Sequence, residues 1–155
     1  MRRSFVSALE KVKERKTQRG SSWQDPCDEN TIALLVAEVR STFHCKVDDE
    51  YLDFLRYCDG MFWNGIQVLA SQRSLLKGYN DTWVSGLVEF NSLYRNNSDH
   101  YDGVLVYASD ELTVYTRNLQ TSYFEARFLV GVEFIERYSD FDHMITSLLE
   151  SMISR

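Results

Sequence analysis

The sequence predicts an α+β fold: a mostly antiparallel, twisted sheet with helices packed on one side, N-terminal helices and a closing C-terminal helix. Apolar residues recur at helical spacing up to about residue 58, and a further helical stripe follows residue 139. After about residue 103, apolar and polar residues alternate as they do in strands. Helices and strands that are segregated along a chain are typical of this class. A chain of 155 residues is most simply one domain, so we predict a single domain over 1–155.

Three helices are predicted in the first part of the chain. Their apolar stripes cover residues 4–16, 30–43 and 48–58. Asp28 or Asn30 could cap the second helix, because a short polar side chain before the first turn can accept a hydrogen bond from a free backbone N–H.

The segment from Asp59 to Gly65 predicts a turn between the third helix and the sheet. Gly60 lies where a helix ends in a left-handed residue. The alternation in "GIQVLA" predicts a strand that begins at Ile66. We expect Phe62 to point into the core, whereas core and surface both stay open for Trp63 at the tip of the turn.

A hairpin, further strands and a closing helix make up the second half. Residues 83–95 fit either a short helix or an irregular stretch. Residues 103–118 are two alternating runs joined by a short turn, which predicts a β-hairpin. Residues 121–135 predict one or two more strands. Ser139 and Asp142 form a capping-box pattern at the start of the last helix.

The charge of the chain is negative and unevenly distributed. The formal net charge is -6, which disfavours nucleic acid as a direct partner and suits a basic protein partner. Residues 1–20 nevertheless hold seven basic and two acidic side chains, and we predict a basic N-terminal helical extension there. This extension could dock on its own domain, touch RNA or lipid, or simply present a solvated helix face.

The cysteines and the hydropathy pattern indicate a cytoplasmic protein. Cys27, Cys45 and Cys58 are odd in number and form no C-x-x-C pair, so neither a disulfide framework nor a structural zinc site is expected. Free thiols fit a reducing cytosol. No segment approaches the ~18 continuous apolar residues of a transmembrane helix, and we predict no membrane partner.

The motifs of common enzymes are missing from the sequence. There is no nucleophile elbow, phosphate-binding glycine loop, dinucleotide fingerprint or zinc-protease motif. His44, His100 and His143 lie far apart along the chain. We therefore predict a protein that is not an enzyme and has no cofactor and no metal. A small-ligand or catalytic cleft beside Asp59 and Asn64 is a weaker hypothesis.

Aromatic and acidic residues in or beside the predicted turns are the candidates for binding a partner protein. Aromatic side chains are typical anchors of protein interfaces, and carboxylates steer and pair with basic partners. The candidates are Asp59, Trp63 and Asn64 at the first turn, Tyr79, Asp81 and Trp83 in the next loop, and Asp110 and Glu111 at the hairpin.

One stretch resembles a known family. The segment "VDDEYLDFLRYCDGMFWNGI" is similar to the pattern "lP-x-x-Y-x-x-F-L-x-x-x-N-G" of the SUKH superfamily, in its YrhA-like branch. Residues 101–118 resemble the paired central strands of that family and the last helix resembles its closing helix. The resemblance covers residues 30–153 and departs at Asp48, where the family has proline, and at Asp59, where it has asparagine.

The resemblance implies an α+β fold and a binding function. Many bacterial members are cytoplasmic immunity proteins that bind and neutralise a cognate toxin delivered by contact-dependent or type VI systems, often a nuclease. Fungal relatives are regulatory hub proteins. The first hypothesis is therefore an immunity protein that occludes the active site or a functional surface of its toxin. The alternative is a regulatory or scaffolding module without a toxin partner; a homo-oligomer is compatible with the sequence but not indicated by it.

Overall fold

The computed structural model describes residues 3–21, 23–76 and 82–154. The helices in chain order are α1 (Phe5–Gln18), α2 (Glu29–Phe43), α3 (Asp49–Tyr57), α4 (Leu87–Asn97) and α5 (Phe141–Ser154). The strands are β1 (Met61–Trp63), β2 (Ile66–Val68), β3 (Ser74–Leu75), β4 (Trp83–Val84), β5 (Val104–Ser109), β6 (Thr113–Asn118), β7 (Phe124–Phe128) and β8 (Phe134–Tyr138).

The main sheet has six strands in the order β1-β2-β5-β6-β7-β8, and every neighbouring pair is antiparallel. Strands β3 and β4 form a separate two-stranded sheet. The predicted α+β fold, the hairpin over 103–118 and the closing helix are confirmed. Residues 121–135 contribute to two strands, and the segment left open at 83–95 contains β4 and most of α4.

Strand β5 is the centre of the sheet, and all six of its residues are buried. Strand β6 pairs with it along its length, whereas β2 pairs only with Ala108 and Ser109. Past the end of β2, the Asn91 side chain from α4 forms hydrogen bonds with the backbone of β5. Its Nδ2 donates to the Val106 carbonyl at 3.0 Å, and its Oδ1 accepts from the Val106 N–H at 2.8 Å. The amide of Asn91 therefore replaces a strand and satisfies backbone groups that would otherwise be buried without partners.

An aromatic cluster joins the helices to the sheet. The rings of Tyr51, Tyr107 and Phe141 contact one another with centroids 4.7 to 6.0 Å apart, and Phe124 packs on Phe141. The Tyr51 hydroxyl donates to a backbone carbonyl of residue 69 at 2.6 Å, so its polar atom is satisfied inside the core. Helices α3 and α5 thus lie over the face of the sheet that carries Tyr107 and Phe124.

Asp48 lies directly before α3, and its carboxylate does not cap the helix. It accepts hydrogen bonds from the Tyr107 hydroxyl and from the Arg117 guanidinium, the latter at 2.8 Å. Asp48 therefore ties the start of α3 to two strands. Asp28, by contrast, caps α2 as predicted by accepting from the Thr31 N–H at 2.7 Å.

Helix α1 packs into the same core as the rest of the chain. Phe5, Leu9 and Val12 are buried in it. The Asp142 carboxylate accepts hydrogen bonds from the backbone N–H groups of residues 4 and 5, at 2.8 and 2.7 Å, so it caps α1. The capping box that the sequence predicts at Ser139 and Asp142 is therefore wrong. Asp140 caps α5 instead, because its carboxylate accepts from the N–H of residue 143.

No helix within the described ranges is long and apolar enough to cross a membrane.

Replacement of Asn91 by alanine is expected to destabilise the fold by about 2–4 kcal/mol, because two buried backbone groups of Val106 lose their partner. Asn97 provides a matched control, since it lies on the same helix and its side chain donates to a backbone carbonyl at an exposed position. Asn97→Ala should change the free energy of unfolding by less than about 0.5 kcal/mol. Urea unfolding followed by circular dichroism measures both, and equal costs would contradict the role assigned to Asn91.

Alkaline pH should unfold the protein as its buried tyrosines ionise. Burial raises the pKa of Tyr101 and of Tyr138 to about 12, and raises the pKa of Tyr51 and Tyr107 well above the ordinary 10.0. Because the folded state disfavours the phenolate, the stability from these groups is complete below pH 10 and is lost as pH rises toward about 12. We expect phenolate absorbance and loss of ellipticity to rise together. Full ionisation of all nine tyrosines in a folded chain would contradict this.

Candidate partner-binding surface

Three hairpin turns meet at one end of the main sheet. The strands alternate in direction across the sheet, so the β1–β2, β5–β6 and β7–β8 turns must all lie at the same end. A hollow of about 530 Å³ lies between the first turn and the second, and the Leu129 N–H of the third turn donates to the Leu112 carbonyl of the second at 2.8 Å. We call residues 64–65, 110–112 and 128–130 the hairpin rim.

The first turn of the rim is tight and anchored. Asn64 and Gly65 have φ values of 51° and 80°, the two left-handed positions that a two-residue turn between antiparallel strands requires. The Asn64 Nδ2 also donates to the Met152 carbonyl near the end of α5, at 2.7 Å. The side-chain amide of Asn64 therefore holds the turn against α5, and contact of Asn64 with a partner stays a prediction.

The second turn presents its middle residues to solvent. The Asp110 Oδ1 accepts from the backbone N–H groups of Leu112 and Thr113, at 3.0 and 2.8 Å, so this carboxylate shapes the turn. Glu111 is exposed and Leu112 is 73% exposed. Of the two predicted acids, Asp110 builds the turn and Glu111 is the one displayed.

Exposed apolar side chains on the rim are the feature that sequence reasoning missed. Leu112, Phe128 and Val130 are exposed, and Val130 reaches 87%. Single apolar residues in turns follow no helical or strand period, so no sequence pattern marks them. The sequence feature that could have identified them is their position along the chain: Leu112 follows two acids, and Val130 directly precedes Gly131.

Phe62 is placed in the opposite way to the expectation, and Trp63 takes the core position, one of the two that were left open for it. Trp63 is buried and Phe62 points outward with 36% of its surface exposed. Residues 61–63 form β1, and side chains along a strand point alternately to its two faces. Met61 and Trp63 therefore point into the core, and Phe62 points to solvent. The prediction that Trp63 binds a partner is therefore wrong.

Cations of α1 cover the Trp63 ring. The Lys16 Nζ and the Arg19 guanidinium lie 5.7 and 5.6 Å from its centroid, and the Lys13 Nζ lies 5.6 Å from the ring of Trp23. Lys16 is buried, and this burial lowers its pKa. These contacts show the basic helix docked on its own domain, which was one of the roles left open for it.

Asp59 is also a structural residue. Its carboxylate accepts from the backbone N–H and the hydroxyl of Ser71, at 2.7 and 2.8 Å. It borders a separate hollow of about 350 Å³ that Asp25 and Leu75 also line. Gly60, the next residue, has the expected left-handed φ of 80°, although α3 already ends at Tyr57. A side chain would not fit at this position, because a Cβ on Gly60 would lie 2.7 Å from the Cβ of residue 70.

Trp83 lies on β4, away from the hairpin rim. It is 44% exposed, faces Leu75 across the short β3–β4 pair, and carries the Arg73 guanidinium 4.2 Å from its ring centroid. Tyr79 and Asp81, which were predicted beside it, lie outside the described residues. Trp83 therefore belongs to a second exposed patch with Leu75.

Two of the cysteine thiols are shielded by burial. Cys27 and Cys58 are buried, and burial raises the pKa of Cys27 to about 11 and that of Cys58 further. These thiols stay protonated at neutral pH and are poor nucleophiles. Within the part of the chain that the structure describes, no three His, Cys, Asp or Glu side chains gather in a way that could hold a metal ion.

No protein-family model matches the chain, and no curated protein matches it significantly. The resemblance to the SUKH superfamily therefore stays a prediction.

Replacement of Trp63 by leucine is expected to destabilise the protein by about 2–4 kcal/mol, because it leaves a cavity under α1 and removes the ring that two cations cover. Trp83→Leu is the matched control. That ring is half exposed and carries one arginine, so its loss should cost less than about 1 kcal/mol. Thermal and urea unfolding compare the two variants. A smaller loss for Trp63→Leu than for Trp83→Leu would contradict the placement of Trp63.

Proposed function

We propose that this chain is a cytoplasmic immunity protein that binds a cognate bacterial toxin through the hairpin rim and occludes the active site or a functional surface of that toxin. One observation carries the proposal. Two of the three turns at this end of the sheet display exposed apolar side chains, at Leu112 in the second turn and at Phe128 and Val130 in the third, and Glu111 exposes a carboxylate next to Leu112. The resemblance of residues 30–153 to SUKH immunity proteins supports the same function.

The chemistry of the rim suits a basic partner with an apolar pocket. Exposed apolar side chains gain free energy when an interface removes them from water, and a cluster of them is a typical energetic centre. A carboxylate at the edge of such a cluster speeds the encounter with a positively charged surface. A nuclease toxin presents such a surface, because it binds phosphate groups.

The positions of several basic residues favour a negatively charged rim and a basic partner. Arg3 pairs with Asp53 at 2.8 Å, and Lys13, Lys16 and Arg19 lie over tryptophan rings of the body. These cations serve the attachment of α1 and lie on elements other than the rim turns. The described residues of the rim include two acids and no base.

A double variant of the rim, Glu111→Arg with Leu112→Asp, should abolish protection by the protein. The change reverses the displayed charge and removes an apolar anchor, while Asp110 still shapes the turn. We expect the affinity for the toxin to fall at least about 100-fold, which is about 2.7 kcal/mol. The assay is survival of bacteria that express the toxin candidate encoded beside this chain, together with calorimetry on the purified pair.

The matched control is Leu34→Asp with Glu38→Arg on α2, where Leu34 is 71% exposed and Glu38 is exposed. This control should keep full protection. Equal protection by the two double variants would overturn the hairpin rim as the binding surface. A neighbouring protein that binds the rim but is harmless when expressed alone would favour the regulatory or scaffolding function instead.

A further inference from the structure

A second, smaller hollow lies beside the hairpin rim, and we call it the Phe62 hollow. Its volume is about 190 Å³. The residues that line it are Phe62, Gly65, Gln67, Ser109, Asp110 and Glu111. It shares Gly65 and the two acids with the larger hollow between the first and second turns. A space of this size suits a single side chain of a partner, because sites for whole small molecules typically enclose roughly 300–1,000 Å³.

Sheet pairing brings the residues of this hollow together. Phe62 of β1 lies opposite Gln67 of β2, and Gln67 lies opposite Ser109 of β5. Residues directly opposite one another share a face of the sheet, so these three side chains form a row across three strands. The backbones of β1 and β5 are two strand spacings apart, about 10 Å. Phe62 therefore lines the hollow from β1, and Glu111 lines it from the turn that follows β5.

Hydrogen bonds fix the middle of this row. The Gln67 Nε2 donates to the Ser109 Oγ at 3.2 Å, and the Gln67 Oε1 accepts from the Ser85 N–H, also at 3.2 Å. Both ends of the Gln67 amide are therefore occupied, and the side chain is held across β2 and β5. A group that enters the hollow meets a preformed surface, which lowers the entropy cost of binding.

The chemistry of the lining favours a flat cation. Phe62 is 36% exposed and Glu111 is exposed, and no described cation pairs with Glu111. The residues that line the two hollows include no lysine, arginine or histidine. A guanidinium matches both groups, because it stacks on an aromatic ring and donates two parallel hydrogen bonds to a carboxylate. A lysine ammonium is more strongly hydrated and has no flat face, so it gains less here.

We propose that the Phe62 hollow receives an arginine side chain of the partner protein, with its guanidinium between the Phe62 ring and the Glu111 carboxylate. The inference rests on the proposed function, because it names the group of the toxin that this side of the hairpin rim holds. The arginine is the charged anchor of the interface. The exposed apolar side chains of the rim then exclude water around it, which strengthens the ion pair.

An NMR titration of the isotope-labelled full chain with N-acetyl-arginine methylamide tests the hollow without any toxin. At low salt, the backbone amide signals of residues 62–67 and 109–111 should shift together and saturate in the millimolar range. The citrulline analogue keeps the shape of arginine without its charge, and it should bind about tenfold more weakly. Phe62→Leu and Glu111→Gln should each weaken the arginine probe about threefold, whereas Glu38→Gln on α2 should leave it unchanged.

Equal binding of the arginine and citrulline probes would overturn the proposal, as would tighter binding of the lysine analogue or an unchanged affinity in Phe62→Leu. Circular dichroism checks that each variant is folded.

The protection assay separates this inference from the proposed function. Phe62→Leu keeps an apolar side chain and removes the ring, so it should weaken the affinity for the toxin about fivefold. Full affinity in Phe62→Leu, with protection lost in the double variant of Glu111 and Leu112, overturns the arginine in the hollow and leaves the hairpin rim as the binding surface. Protection kept by that double variant, with the arginine probe bound as expected, overturns the proposed function and supports the hollow as an arginine site.

Discussion

The burial of β5 is the constraint on which the rest of the structure depends. A strand that is buried along its whole length must have both of its backbone edges satisfied. Strand β6 supplies one edge, and β2, the Leu69 N–H and the side chains of Asn91 and Arg95 supply the other. The short reach of β2 explains why an asparagine of α4 is buried in the core. The strands on both sides of β5 alternate in direction. The β1–β2, β5–β6 and β7–β8 turns therefore all lie at one end of the sheet.

The same architecture divides the charged residues between two tasks. The basic helix α1 lies on the body through an aspartate-capped N-terminus, an apolar face and cations over two tryptophan rings. Its charge is therefore used within the molecule. The turns at the far end of the hairpins carry acids and exposed apolar residues, and these are the groups that a basic partner would meet. The contacts that hold α1 and the proposed binding surface thus lie in different parts of an acidic chain.

Elements with a strong local pattern were predictable from the sequence. The hairpin over 103–118 shows clear alternation, and Asp28 caps α2 because the cap is a local interaction. Trp63 was not predictable, since a three-residue strand has too short a pattern to set its parity, and its partner Lys16 is distant in the sequence. Asp59 and Asn64 looked like contact residues because polar turn residues often are. Their actual partners, Ser71 and Met152, could be found only in three dimensions.

The most direct test of the hairpin rim is site-specific photo-crosslinking in the native host cell. A crosslinking residue is placed at Leu112 on the rim or at Leu34 on α2, which are 73% and 71% exposed. We predict that the Leu112 position captures one protein, that this protein arrests growth when it is expressed alone, and that the Leu34 position does not capture it. Capture of the toxic protein from Leu34 but not from Leu112 would contradict the account.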